Sequence, residues 1–205
     1  METQLIASLH KNIFTIFDIM ERFNNKYRIE SSRKIGHDYS SNGDYFITIC
    51  TSGRECFFGI VENETIVLNP MGIIVEQLIL KIKNQFDNVR IVEYIIMPNH
   101  VHFILKISKP TDNHVETRLI ASLQNENINP INGGITGNKN PMLIDGIPKM
   151  VRWFKGRVTF ELRKIDNEFG WQSRYYDRII RTRDEYFAVI NYIKNNPLHW
   201  YNKSI

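Results

Sequence analysis

The stretch Tyr94-Ile95-Ile96-Met97-Pro98-Asn99-His100-Val101-His102-Phe103-Ile104-Leu105 constrains this chain most. It reads as an apolar strand, a Pro-Asn turn and a second apolar strand that carries two histidines. Strand side chains alternate between faces. His100 and His102 therefore point to one side and Val101 to the other. Two neutral imidazoles on one face make half of a divalent-metal site. The same spacing also fits two strand-edge histidines with no ligand, so the rest of the chain has to decide.

A chain of 205 residues suffices for one sizeable domain with additions. Hydrophobic content of 42%, with 12% aromatic, predicts a packed core and excludes a disordered chain. No apolar run approaches the roughly 20 residues of a membrane span. Glu2 and the lack of a basic lead-in argue against a signal peptide, so the expected setting is the cytoplasm, with no membrane partner. Cys50 and Cys56 fit neither a CxxC nor a zinc-ribbon spacing and are expected to be reduced.

Charge is distributed unevenly. From Ile147 to Ile205 there are 12 Lys and Arg against 6 Asp and Glu, a net of +6, while the remainder carries 14 against 16, a net of −2. A one-sided basic region is what a nucleic-acid binder presents, although a solvated helix face gives the same count.

Residues 3–24 place Ile6, Leu9, Ile13, Ile16, Met20 and Phe23 at alternating spacings of three and four, as on an amphipathic helix. Residues 1–26 are thus expected to be a helical extension and 27–205 a single domain. Glu2–Leu9 recurs almost unchanged as Glu116–Leu123, a repeat too short and too widely spaced for a solenoid. Tyr45–Thr51 predicts a strand and 57–68 a hairpin turning at Glu62-Asn63-Glu64. A helix is expected from Asn69-Pro70 to about Asp87, with Ile73, Ile74, Leu78, Leu80, Ile82 and Phe86 as its apolar positions. Val89–Met97 and His100–Ile107 are the next strands. Residues 108–146 are polar and Asn-rich with three prolines, as in a flexible insertion. Ile147 to Asp166 predicts a helix buried through Ile147, Met150, Val151, Phe154, Val158, Leu162 and Ile165. Thr182-Arg183-Asp184-Glu185 is a capping box opening a last helix that Pro197 stops.

That last helix carries Tyr192, with Asn196 four residues on and on the same face if the helix holds. A tyrosine oxygen is a competent nucleophile that leaves a covalent enzyme intermediate. An amide oxygen can complete a hard-metal site, and Asn195 could serve in place of Asn196. Tyr175 and Tyr176 are rival nucleophiles, but they stand among Arg174, Arg178 and Arg181, a setting suited to DNA contacts. Lys149, Arg152, Lys155 and Arg157 could grip phosphates, and Trp171 could either stack on an unpaired base or belong to the core.

Met97-Pro98-Asn99-His100-Val101-His102 resembles the HUH motif (histidine, hydrophobe, histidine) of single-tyrosine transposases. Trp171–Arg181 and Tyr192–Trp200 resemble the C-terminal segments of the REP-associated tyrosine transposases, and His37–Thr51 fits as well. The resemblance covers roughly residues 27–107 and 147–200. It implies an α+β fold, a ferredoxin-like α/β sandwich with a central antiparallel sheet and helices on one side. The HUH motif would lie on a central strand and the catalytic tyrosine on a C-terminal helix. It further implies that His100, His102 and Asn196 bind Mg²⁺ or Mn²⁺. Tyr192 would attack single-stranded or hairpin DNA to give a 5′-phosphotyrosine and a free 3′-hydroxyl, in a monomer or homodimer. Two other readings stay open: a hairpin-binding protein without chemistry, and a metal hydrolase drawing a further ligand from His37, Asp38 or Glu93.

Overall fold

The computed structural model describes residues 37–108 and 146–201; the expected N-terminal helix, the repeated octapeptide and the insertion lie outside the described residues. Strand β1 (Gly43–Cys50) is followed by a hairpin of β2 (Gly59–Glu62) and β3 (Thr65–Leu68). Asn63 and Glu64, at the tip, both have positive φ (47° and 59°), as the tightest two-residue hairpin turns require. Helix α1 (Pro70–Gln85), strands β4 (Val89–Met97) and β5 (His100–Ile107), helix α2 (Ile147–Leu162), strand β6 (Tyr176–Ile180), and helices α3 (Arg183–Lys194) and α4 (Asn196–Tyr201) complete the order.

Four strands form one sheet in the order β4-β5-β1-β6, and every neighbouring pair is antiparallel. With α1 before β4 and α2 before β6, this is the β-α-β-β-α-β arrangement of ferredoxin-like folds, with β2–β3 inserted after β1. The central strands β1 and β5 read FITIC and HVHFIL because both of their faces are covered.

Each face has its own helices. Tyr45, Ile47 and Ile49 of β1 join Val101, Phe103 and Leu105 of β5 in a core closed by α1 and α2. Phe46 and Ile104, on the opposite face, pack with Ala188, Val189 and Ile193 of α3. The expectation of helices on one side is therefore corrected: α1 and α2 cover one face and α3 the other. Arg183–Lys194 can do this because its apolar positions recur at helical spacing beyond a cap in which Thr182 Oγ1 accepts from Glu185 N at 3.1 Å.

Two buried stripes also differ from expectation. Helix α1 buries Met71, Val75, Leu78, Ile79 and Ile82, and leaves Ile73 and Leu80 about half exposed. The reason is Gly72: a Cβ there would lie 2.1 Å from the Phe58 carbonyl oxygen, so the helix approaches the hairpin on its glycine side and turns Ile73 outward. Helix α2 ends at Leu162, before Ile165, which is exposed.

Gly72→Ala should therefore destabilise the protein by about 1–3 kcal/mol, as overpacking does. Gly156→Ala, at an exposed helical position with nothing near the new methyl, should stabilise by up to ~1 kcal/mol. Urea unfolding of both variants checks the pair; a Gly72→Ala midpoint equal to that of the parent protein would refute the close approach.

Candidate active site

The site lies on the α3 face of the sheet. Cross-strand register sets it in rows: Cys50 opposite His100, Thr48 opposite His102, Phe46 opposite Ile104, Asp44 opposite Lys106. On the other side of β1, Tyr176 pairs with Thr48 and Arg178 with Phe46.

His100 and His102 are both buried. Their Nε2 atoms face each other at 3.1 Å. Their Nδ1 atoms point away and are each held, His100 by Asn99 Oδ1 at 2.7 Å and His102 by Thr48 Oγ1 at 2.7 Å. Asn99 Nδ2 donates to the Arg54 carbonyl, which turns its Oδ1 toward His100. His100 Nδ1 must then carry the proton, leaving the Nε2 lone pair aimed at the shared space. Thr48 can accept from His102 Nδ1 in the same way. Burial, with His100 beside it, holds His102 well below the usual imidazole range, so it is neutral and able to ligate at neutral pH.

Tyr192 comes to the same place from α3. Its ring stands edge-on to His102 with centroids 5.4 Å apart, and edge-on to Phe46, which itself stacks on His102. Burial pushes the Tyr192 hydroxyl up to about 12, against a lowering hydrogen bond with the Asn196 side chain and a smaller raising contribution from Cys50. Asn196 is buried at the start of α4, whereas Asn195 is exposed at the C-cap of α3. The amide that reaches Tyr192 is thus Asn196. Helix α4 begins directly after the Asn195 cap and brings the Trp200 ring to 6.0 Å, centroid to centroid, from His100.

The geometry suits a metal as far as it goes. Two donors at right angles on an octahedral ion with ~2.1 Å bonds stand roughly 3.0 Å apart, close to the observed Nε2 separation. Among the described residues no group of three or more His, Cys, Asp or Glu could hold a metal ion. The residues named above as further ligands of a hydrolase lie elsewhere. His37 bonds Tyr45 on the α1–α2 side, Asp38 caps Ser40, and Glu93 lies 4.0 Å from Lys194.

Tyr175 packs with the α1–α2 core, away from the histidines. Tyr176 shares the histidine face but lies two strands from His102, and burial raises its hydroxyl too. The expected DNA contacts are not gathered at the site. Lys149, Arg152, Lys155 and Arg157 are on α2, across the sheet. Lys155 donates to the Gln172 carbonyl at 2.6 Å, and Arg157 pairs with Glu161 at 2.9 Å. Arg174 is exposed in the loop before β6, and Arg178 pairs with Glu185 at 3.0 Å on the site's own face. Arg181 stands at the start of α3. Trp171 is a half-buried ring packed against the core, with Phe58, Phe154 and Phe169 at centroid distances of 5.5, 6.1 and 5.3 Å, on the sheet face opposite Tyr192. Sequence reading passed over Thr48, Asn99 and Trp200. Asn99 was visible only as a turn residue, and Thr48 needs the β1–β5 register to be seen.

Comparison with known proteins adds the following. No family model matches the chain. A solved structure of a REP-associated tyrosine transposase bound to a REP hairpin is similar with a TM-score of 0.48 and 17% identity, over 86% of this chain and 74% of that one. No helix among the described residues is long and apolar enough to cross a membrane. An uncharacterized protein of Haemophilus influenzae is 36% identical over 165 residues, 80% of this chain and 85% of that protein. The chain belongs to the same family as that Haemophilus influenzae protein.

Proposed function

We propose that this protein cleaves and rejoins single-stranded DNA, on hairpin-forming repeats, with Tyr192 as nucleophile and a divalent metal, Mg²⁺ or Mn²⁺, as cofactor. The observation that carries the reading is the convergence of Tyr192 on two buried histidines whose Nε2 atoms face one another at 3.1 Å. The HUH-like motif and the tyrosine helix stand in the order that the resemblance requires.

Tyr192 Oη attacks phosphorus; the Oη–P bond forms and the P–O3′ bond breaks. The phenolic proton leaves Oη, and the 3′-oxygen takes up a proton to end as a free hydroxyl. The strand stays joined to the protein as a 5′-phosphotyrosine. Attack by another 3′-hydroxyl reverses the step without external energy, because the phosphotyrosine keeps the ester bond. His100 and His102 would hold the metal, with Asn196 as a neutral third donor. When bound, the metal supplies positive charge to the scissile phosphate. With so little negative charge in the donor set, substrate phosphate oxygens would complete the coordination, as Mg²⁺ prefers. The Asn196 side-chain amide donates to the Tyr192 hydroxyl oxygen and steadies it. Phe46 and His102 fix its ring.

A labelled hairpin oligonucleotide from DNA flanking the gene should give a covalent protein–DNA band with Mn²⁺ or Mg²⁺ on a denaturing gel. Tyr192→Phe should abolish the band, chelator should abolish it, and Tyr176→Phe should leave it. A band that survives Tyr192→Phe moves the nucleophile, and tight binding with no band under any metal sinks the enzyme reading. The pH dependence follows from the raised tyrosine. Its protonated form is favoured up to about 12, so adduct formation should keep accelerating as pH rises from 7 to 9. A single-turnover rate that is flat or falling over that interval would mean that loss of the Tyr192 proton does not limit the step.

A further inference from the structure

At the end of the sheet face away from His100, Asp44 of β1 lies between Lys106 of β5 and Ile180 of β6. Here the start of α3 leaves a cavity of about 370 Å³, whose chemistry-bearing walls are Asp44, Lys106, Arg181, Arg183, Tyr186 and Phe187. We propose that this cavity takes an unpaired guanine nucleotide of the DNA strand, its base read by Asp44 and its phosphate held by the surrounding cations. The inference rests on the single-strand reading above and adds to it a specificity site separate from the catalytic pair.

Asp44 Oδ1 is buried and has no hydrogen-bond partner among the described residues. A carboxylate offers only acceptors, and a buried oxygen left without a donor is costly, so it favours a ligand that donates. Of the four bases, guanine alone presents two adjacent donors, N1–H and the exocyclic amine, on its pairing edge. Adenine and cytosine set one donor beside a ring-nitrogen acceptor, and thymine flanks its one N–H with carbonyl oxygens. Each of those three would turn acceptors toward the carboxylate. The helix terminus does not create the site, because Thr182 and Glu185 already occupy the Glu185 and Arg181 amides.

The walls suit the rest of a nucleotide. Phe187 is 48% exposed, with the Arg183 guanidinium 5.5 Å from its ring centroid and Tyr186 edge-on at 6.0 Å. An exposed aromatic backed by a guanidinium is a stacking platform for a base. Lys106, Arg181 and Arg183 outnumber Asp44 three to one around the opening, which favours a ligand with net negative charge.

The cavity's place along the face fits the same strand. Nine residues of α3 separate Arg183 from Tyr192, about 14 Å of helix. Four residues of β5 separate His102 from Lys106, again about 14 Å. Helix and strand thus carry the cavity and the catalytic pair at matching separation, roughly four stacked nucleotides apart at ~3.4 Å each.

The test uses the full chain and the hairpin oligonucleotide of the adduct assay, fluorescently labelled for anisotropy. Each unpaired guanine is replaced in turn by inosine, which lacks the exocyclic amine. One position should cost about tenfold in affinity, within the range of a bidentate base contact. Asp44→Asn should remove that penalty, and Phe187→Ala, at an exposed position where folding is not at stake, should weaken binding at least fivefold and shrink the penalty. If the adduct forms but no inosine position matters, or if both variants keep the parent's inosine profile, the guanine site is overturned and the single-strand reading stands. Neither adduct nor binding by the parent protein overturns both.

Discussion

The site depends on the register between β1 and β5. Thr48 must stand opposite His102 for its hydroxyl to hold Nδ1, and Cys50 opposite His100 for the Pro98-Asn99 turn to close against Thr51. A slip of one residue would send both histidines into the α1–α2 core and bring Val101 out. The register is held by what lies on the other face. Val101, Phe103 and Leu105 are fully buried, and any shift would replace these apolar contacts with imidazole. The apolar core on one side of the sheet therefore aligns the polar pair on the other.

That pair is expensive to keep. Two imidazoles and a phenol are drawn from water into a niche walled by Phe46 and Trp200. Buried polar groups are tolerated when their hydrogen bonds are met, and here each outward Nδ1 is met. The inward Nε2 atoms face each other at 3.1 Å. A fold selected for stability alone would fill this face with more residues like Ile104. The arrangement spends stability to keep two lone pairs converging beside a hydroxyl whose proton is hard to remove.

The elements were legible where one physical signal dominated. Alternation with β-branched residues marked β1, β4 and β5, and the Thr182–Glu185 cap marked the start of α3. HVH told which way the histidines point before any partner was known. What was not legible came from packing. In Asn69–Leu80 nearly every position is apolar, so periodicity allowed two stripes, and the close approach of Gly72 to the Phe58 carbonyl chose between them. For Trp171 beside Gly170 both a stacking and a core role were open, and it packs against Phe169, two residues away, and against Phe58 and Phe154, distant in sequence. The sidedness of α3 was hidden for the same reason: an amphipathic stripe says that a helix is covered, not which face of a sheet covers it.

The division of the sheet separates two kinds of basic residue that sequence alone pooled. Those of α2 lie across the sheet from Tyr192, several already held by carbonyls or carboxylates of their own layer. On the proposed reading, a strand engaged by Tyr192 would have to pass around the sheet to reach them. Arg181, Arg183 and Lys106 instead share the face of Tyr192, joined to it by the rigid length of α3. On the proposed reading, helix α3 would set the distance between the phosphate attacked by Tyr192 and a nucleotide held in the far cavity. A displacement of α3 along β5 would move both ends together, so on that reading the spacing between cleavage and the bound nucleotide would be a property of the helix and not of a loop.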